Sequence, residues 1–320
     1  MGISDLEKIQ IIRSELQKIS AQFRTKHVFL KHQDILGFSI FFVSCLMFLF
    51  GGWSYVNGWI PIWAVIIWNA FLASILHELE HDLIHFMYFK KNKFMQNIMM
   101  LGVWIFRPLT LNPWLRREIH LHHHKVSGTP IDIEERGVSN GEKWGMIRLF
   151  TLSDIFLAGA WRSYRIKKDM NTPELKKLFL KVKYWGMLPF PFVCYLILYS
   201  YLLPFHHPLW LNHFVVIFLL PNVLRMFCLH LITSNMHYYG DVELGNIMQQ
   251  TQVLNKWYLA PFHFFCFNFG STHAIHHFWV NETFYIRQLT ASRAHEIMRK
   301  QGVRFNDMHN FVRANRYFRT

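Results

Sequence analysis

Cysteine is scarce in this chain. The four present, Cys45, Cys194, Cys228 and Cys266, stand alone in apolar stretches with no C-x-x-C spacing, which excludes a disulfide framework, a thiolate zinc site and a cysteine-ligated iron–sulfur cluster. They read as small core residues. Also missing are a G-x-G-x-x-G turn, a b-type haem motif, internal repeats and low-complexity tracts, so no dinucleotide site or fused electron-transfer domain is expected. Acidic residues are few, 20 Asp and Glu against 34 Lys and Arg, for a formal net charge of +14. A nucleic-acid partner is nevertheless excluded, because no recognition motif accompanies the charge and the cations flank apolar runs. Residues 1–34 are polar and charged, without the apolar core of a cleavable leader.

What the chain has in plenty is apolar surface. Its 320 residues are 52% hydrophobic and 17% aromatic, with mean hydropathy +0.12, and they read as a single-domain, all-α integral membrane protein. Four stretches approach the ~20 residues that a bilayer core requires: Ile35 to Val56, Trp59 to Leu76 (continuing toward His85), Tyr184 to Leu203, and Leu209 to Ile232. They pair as two hairpins through short connections, Asn57-Gly58 and Pro204 to Pro208, which hold no Lys or Arg. The cations lie at the opposite ends, at Lys8, Arg13, Lys18, Arg24, Lys26 and Lys31, at Lys90, Lys91 and Lys93, and at Arg162, Arg165, Lys167 and Lys168. By the positive-inside rule both termini and both long polar segments are cytoplasmic. The expected organisation is a cytoplasmic amphipathic helix (1–34), a first hairpin (35–85), a cytoplasmic or interfacial segment (86–183), a second hairpin (184–232) and a cytoplasmic helical cap (233–320). A basic face beside the bilayer attracts anionic lipid and acidic electron-transfer partners.

Leu6, Ile9, Ile12, Leu16, Ile19 and Phe23 recur at helical spacing behind Ser4 and Asp5, and predict an amphipathic helix lying on the membrane or on the cap. Ile98 to Leu111 is too short to cross, and Trp257 to Gly270 is aromatic; both read as interfacial or re-entrant.

Histidines gather in three short clusters, each at the end of an apolar run: His77, His81 and His85; His120, His122, His123 and His124; His273, His276 and His277. Neutral imidazole is the commonest protein ligand for iron, zinc and copper, and an apolar core has no use for so many titratable rings. On a helix His77 and His81 share one face with a rise of ~6 Å, and His85 continues it as a further ligand or as a donor behind one. The second and third clusters both have H-x-x-H-H spacing, at His120, His123, His124 and at His273, His276, His277. His237, just past the fourth apolar stretch, completes nine. That number exceeds the roughly four to six ligands one ion takes and suits two ions.

These residues resemble the membrane-bound di-iron fatty acid desaturase and hydroxylase superfamily, which includes acyl desaturases, alkane hydroxylases and carotenoid oxygenases. The resemblance runs from roughly Leu76 to His277, with the three histidine boxes in the family's order. Carried over residue by residue, it implies His77 and His81, His120, His123 and His124, His237, and His273, His276 and His277 as ligands of two iron ions. His85, His122, Asp132 and Asn235 are implied as supporting residues, since a carboxylate such as Asp132 orients a ligand histidine. Arg116-Arg117 before the second box and Gly128 to Asp132 after it also look like the family. Where the family often has Asn, four residues before the lone histidine, this chain has Thr233.

The resemblance implies an oxidoreductase that uses O2 and two electrons to introduce a double bond into the acyl chain of a lipid or thioester. The alternative outcome is hydroxylation of an alkane, fatty acid or carotenoid, because substrate position decides between losing a second hydrogen and gaining oxygen. The substrate is a long-chain acyl or hydrocarbon molecule entering from the lipid, past candidate lining residues Trp104, Phe106, Phe262, Phe264, Phe265, Phe267 and Phe269. Arg225, inside an apolar stretch, is expected to face a cavity or a partner. The electrons come from a ferredoxin, a rubredoxin or a b-type cytochrome. His77-Glu78-Leu79-Glu80-His81 also satisfies H-E-x-x-H, the signature of an intramembrane zinc protease with Glu78 as base, a reading that leaves both H-x-x-H-H triplets unexplained. A ferritin-like site requires two E-x-x-H motifs, and only Glu78 to His81 fits.

Overall fold

The chain opens on a helix that starts where its side chains can satisfy free backbone amides. In α1 (Asp5–Lys26), Ser4 caps Glu7 and Glu7 caps Ser4 in return, a reciprocal capping box. The computed structural model describes residues 3–152, 158–169, 173, 176 and 190–318. Ile9, Ile12 and Leu16 of α1 are buried against Ile247, Met248, Ala274, Ile275, Phe278, Ala294 and Met298. The apolar stripe of α1 is therefore covered by protein, while Leu6 and Ile11 are turned outward. α1 thus packs directly on the segment that carries the third histidine cluster.

α2 (Gln33–Val56) and α3 (Ile62–Ile84) form a hairpin closed at Asn57 and Gly58, whose φ of 72° suits glycine. The outward face of the pair is a belt of exposed apolar residues, Phe42, Leu46, Leu49, Phe50, Trp53, Trp59 and Trp63. The inward face uses small residues: a side chain at Gly52 would meet Ile217 at 2.8 Å, and one at Gly51 would meet Trp68 at 2.6 Å. After these come α4 (Lys93–Ile105), α5 (Pro113–Val126), α6 (Ile133–Gly137), α7 (Met146–Leu152) and α8 (Ala158–Asp169). α4 is followed by a turn that buries Arg107 completely, while Phe94, Ile98, Leu101 and Ile105 stay exposed along one side.

α9 (Phe190–Tyr201) and α10 (Leu209–Met236) follow. α10 holds a π turn over Val215–Leu219, ending at Pro221. Proline has no N–H, so it cannot satisfy the carbonyl of Ile217 one turn earlier. That carbonyl instead accepts from Asn69 Nδ2 of α3 at 3.1 Å, which turns a helix defect into an interhelical bond. Three helices, α2, α3 and α10, are long and apolar enough to cross a membrane, and α9 is a shorter apolar one. The expected third crossing, Tyr184 to Leu203, is described only from Phe190, residues 184–189 lying outside the described residues.

The chain ends with α11 (Ile247–Gln250), α12 (Ala260–Phe265), α13 (Phe269–Phe278) and α14 (Phe284–Lys300). Phe267 and Asn268 adopt φ of 47° and 57°, a left-handed turn that redirects the chain into α13. Asp82 at the end of α3 anchors the start of α14: it accepts from Tyr88 Oη at 2.8 Å, from Phe284 N at 2.9 Å and from Arg287 Nη2 at 3.1 Å. Among the described residues there is no strand, only isolated bridges at His237–Thr251 and Val253–Phe305.

Candidate metal centre

The histidines converge because four helix ends meet. The last turn of α3 supplies His81 and, at its C-cap, His85. α5, started by Pro113 and capped by the Asn112 side chain, presents His120, His123 and His124; α10 ends at His237; and α13 supplies His273, His276 and His277. Two groups result, His81, His85, His120 and His276 in one and His123, His237, His273 and His277 in the other, each with donor atoms within 4.8 Å of one another. His124 stands beside the first, its Nε2 3.1 Å from that of His120 and 3.0 Å from that of His276.

The spacing of these nitrogens is that of ligands around cations. His276 and His85 have Nε2 atoms 3.1 Å apart, His277 and His273 3.1 Å, and His123 and His277 3.5 Å. Edges of roughly 3.0–3.4 Å join nitrogens that sit about 2.1 Å from one ion. Both nitrogens of His81 are buried without a hydrogen-bond partner, an arrangement costly for polar atoms unless an ion takes up a lone pair. Chemically the donor set fits two borderline transition-metal ions, such as iron.

Carboxylates hold several rings from behind. His123 Nδ1 and Asp132 Oδ2 are 2.8 Å apart, and Asp132 is itself fixed by the Gly128 amide at 2.9 Å. His120 Nδ1 and Glu134 are also 2.8 Å apart. Burial and the neighbouring rings keep His124, His273, His276 and His277 well below the ordinary imidazole value, and His85 is pushed down to about 2 by burial and by His120. Their lone pairs are accordingly free at neutral pH. His123 moves the other way, to about 10, since Asp132, with Glu134 and Glu135 behind it, outweighs the downward pull of burial.

Not every expected residue joins the groups. His77 lies outside both: its Nε2 is 2.9 Å from the guanidinium of Arg116, which also pairs with Glu80, as does the fully buried Arg107 at 2.5 Å. His122 is half-buried, with Nε2 3.4 Å from the Ile131 carbonyl. The Asn235 amide is 3.9 Å from Met308 Sδ, and Thr233 Oγ1 donates to the His230 carbonyl at 3.3 Å. Sequence reasoning missed the pairing of Glu134 with His120 and the placement of Glu135, although both lie within three residues of Asp132. It also left His85 as a secondary choice, where the geometry puts it inside the first group.

An open cavity of about 400 Å³ has Phe71, Phe264 and Phe267 as its apolar wall and Asn255, Lys256, Asn268 and Gln288 around it, and none of the clustered histidines lines it. Of the expected aromatic lining, Phe264 and Phe267 border this space, whereas Trp104 and Phe269 are packed in the interior.

The fold and site define a class, a helical, membrane-type protein whose interior carries two adjoining clusters of imidazole suited to a pair of metal ions. A family model described as Fatty acid desaturase matches residues 57–309, and the chain belongs to that family of oxidoreductases. Family members are typically di-iron proteins acting on fatty acyl substrates with O2 at a membrane. No curated protein matches the chain.

Proposed function

We propose that this protein is a membrane-bound di-iron desaturase that introduces a double bond into the acyl chain of a lipid or thioester. The observation that carries this reading is the meeting of two four-imidazole groups at the end of a bundle of apolar helices, in a chain of this family. His81, His85, His120, His124 and His276 would hold one iron, and His123, His237, His273 and His277 the other. His77 is left out of the ligand set, because the lone pair of its Nε2 faces the Arg116 cation. Iron bound there supplies, with O2 and two electrons, the power to remove hydrogen from an unactivated methylene. The protein's own part is to hold the rings in register through Asp132 and Glu134, to keep water away by burial, and to position one carbon. The aromatic wall of Phe71, Phe264 and Phe267 suits an acyl chain, and Lys256 with Asn255 suits its polar end.

The H-E-x-x-H protease reading finds no support here, since it needs His77 and His81 on one ion and a carboxylate of Glu78 facing it; Glu78 instead lies 3.6 Å from Arg287. Electrons would come from a ferredoxin, a rubredoxin or a b-type cytochrome docking on the basic face. The test is mass spectrometry of lipids from a host expressing the wild type or His276→Ala together with such a donor. A double bond that appears only with the wild type supports desaturation. A hydroxyl in its place assigns the chain to the hydroxylases, and purified protein without iron overturns both.

A further inference from the structure

The two groups are served unequally. Five imidazoles surround the first and four the second, and the carboxylates nearby are not alike. Asp132 and Glu134 approach histidines at Nδ1, the nitrogen turned away from the neighbouring rings. Glu135 instead brings Oε1 to 3.6 Å from Nε2 of His237, the same type of nitrogen through which His123, His273 and His277 approach one another. It also lies 3.8 Å from His123 Nδ1, so the carboxylate sits at the junction of two members of the second group.

Glu135 is held there firmly. Only 3% of it is exposed; its other oxygen accepts from Asn140, itself fully buried; and its amide donates to Asp132 at 3.3 Å within the short turn of α6. Burying a carboxylate without a matching cation costs several kcal/mol. No Lys or Arg pairs with Glu135 in an ion pair among the described residues; beside the imidazoles of His123 and His237 its neighbours are the carboxylates of Asp132 and Glu134, which add negative charge. A divalent ion in the second group would be the missing positive charge. At 3.6 Å from His237 Nε2, the oxygen is placed beside the donor atoms of the second group.

We propose that Glu135 is a positioning residue of the second metal site, placing a carboxylate oxygen beside the ion that His123, His237, His273 and His277 would bind. It thereby supplies the negative, oxygen-donor side that neither Thr233 nor Asn235 supplies. The inference rests on the di-iron reading above and deepens it by making the two sites inequivalent, one all-nitrogen and the other with an anionic oxygen partner.

The experiment is Mössbauer spectroscopy of the whole protein loaded with 57Fe, alongside iron titration. For the wild type the expected result is two iron per chain in two distinct quadrupole doublets. In Glu135→Gln one doublet should move while the other stays, and the affinity for one of the two irons should fall about 10- to 100-fold, the usual effect of removing such a partner. Glu135→Asp keeps the charge on a shorter arm and should perturb the same doublet less, and it decides the matter if the Gln variant does not fold. Two irons in the wild type with both doublets and both affinities unchanged in the variants would overturn the assignment of Glu135 alone. A wild type that binds no pair of irons would instead overturn the reading on which it rests.

Discussion

His85 and His77 lie two helical turns apart and meet opposite fates, and the difference is testable. His85 has its Nε2 3.1 Å from that of His276, whereas His77 is engaged by Arg116. We predict that His85→Ala drops the iron content of the purified protein from two per chain toward one and abolishes product. His77→Ala should keep both irons and lose about 1–3 kcal/mol of stability from the lost contact with the Arg116 guanidinium, which keeps its ion pair with Glu80. Elemental analysis of the two variants decides it, and loss of iron from His77→Ala would restore the first box to His77 and His81. That each H-x-x-H-H triplet brings its rings together was legible in the sequence, because the spacing is local to one helix. Which of His77, His81 and His85 lie near the other rings was not, since the three drift by about 40° per four-residue step. The pair that faces the other rings depends on where α5 crosses α3, which is a long-range fact. The roles of Glu134 and Glu135 were hidden for the same reason, since Asp132, Glu134 and Glu135 fall on one short turn but serve different rings.

Among the elements, the α3–α10 contact is the one most exposed to single changes. The Asn69 amide replaces the bond that Pro221 cannot make, so Asn69→Leu should leave the Ile217 carbonyl without a partner in an apolar interior, at about 1–3 kcal/mol. Gly52→Leu should cost at least as much, because the new side chain enters the space of Ile217. Thermal unfolding in detergent measures both, and variants as stable as the parent would show that the helices do not pack as closely as described. The apolar helices themselves were readable from run length and composition. The π turn was not, because it depends on a donor from a neighbouring helix more than a hundred residues away in sequence. The covering of α1 was legible only in part: its stripe announced a buried face, and nothing local says whether lipid or protein covers it.

Across the whole molecule, proton uptake should oppose folding on the acid side. Burial holds His124, His237, His273, His276 and His277 below the ordinary value of 6.5. As pH falls through 6.5 the unfolded chain therefore gains protons that the folded one refuses, and stability drops. His123, raised to about 10, works in the opposite sense, adding stability below 6.5 that is lost as pH rises through 10. The depressed rings outnumber it, and iron competes with protons for the same lone pairs. Stability and iron content should both decline between about pH 7 and 5, and a midpoint that stays flat or rises over that range would contradict the buried, neutral cluster.

The packing of the two ends of the chain bears on how often it would cross a bilayer, and we propose a topology from it. Ile9, Ile12 and Leu16 near the N-terminus are buried against Ala291, Ala294 and Met298 of α14, so both terminal regions lie on one side. The histidines lie on that side as well, because α3 and α10 both end there and deliver His85 and His237 to the same cluster. α2 and α3 make one excursion away from that side and back. In the proposed topology α10 returns from the far side, which requires an outward crossing before it, and α9, a shorter apolar helix placed just ahead, would belong to that crossing. Four crossings with both ends cytoplasmic is thus the arrangement we propose, on the strength of the absence of Lys and Arg from the connections at Asn57-Gly58 and Pro204 to Pro208. Single cysteines introduced at Gly58 and at His206, in a variant lacking the native four, should react with a membrane-impermeant maleimide from outside intact cells. Cysteines at Ser4 and Val312 should react only after the membrane is opened. Labelling of both ends and both connections from one side would rule the four-crossing arrangement out.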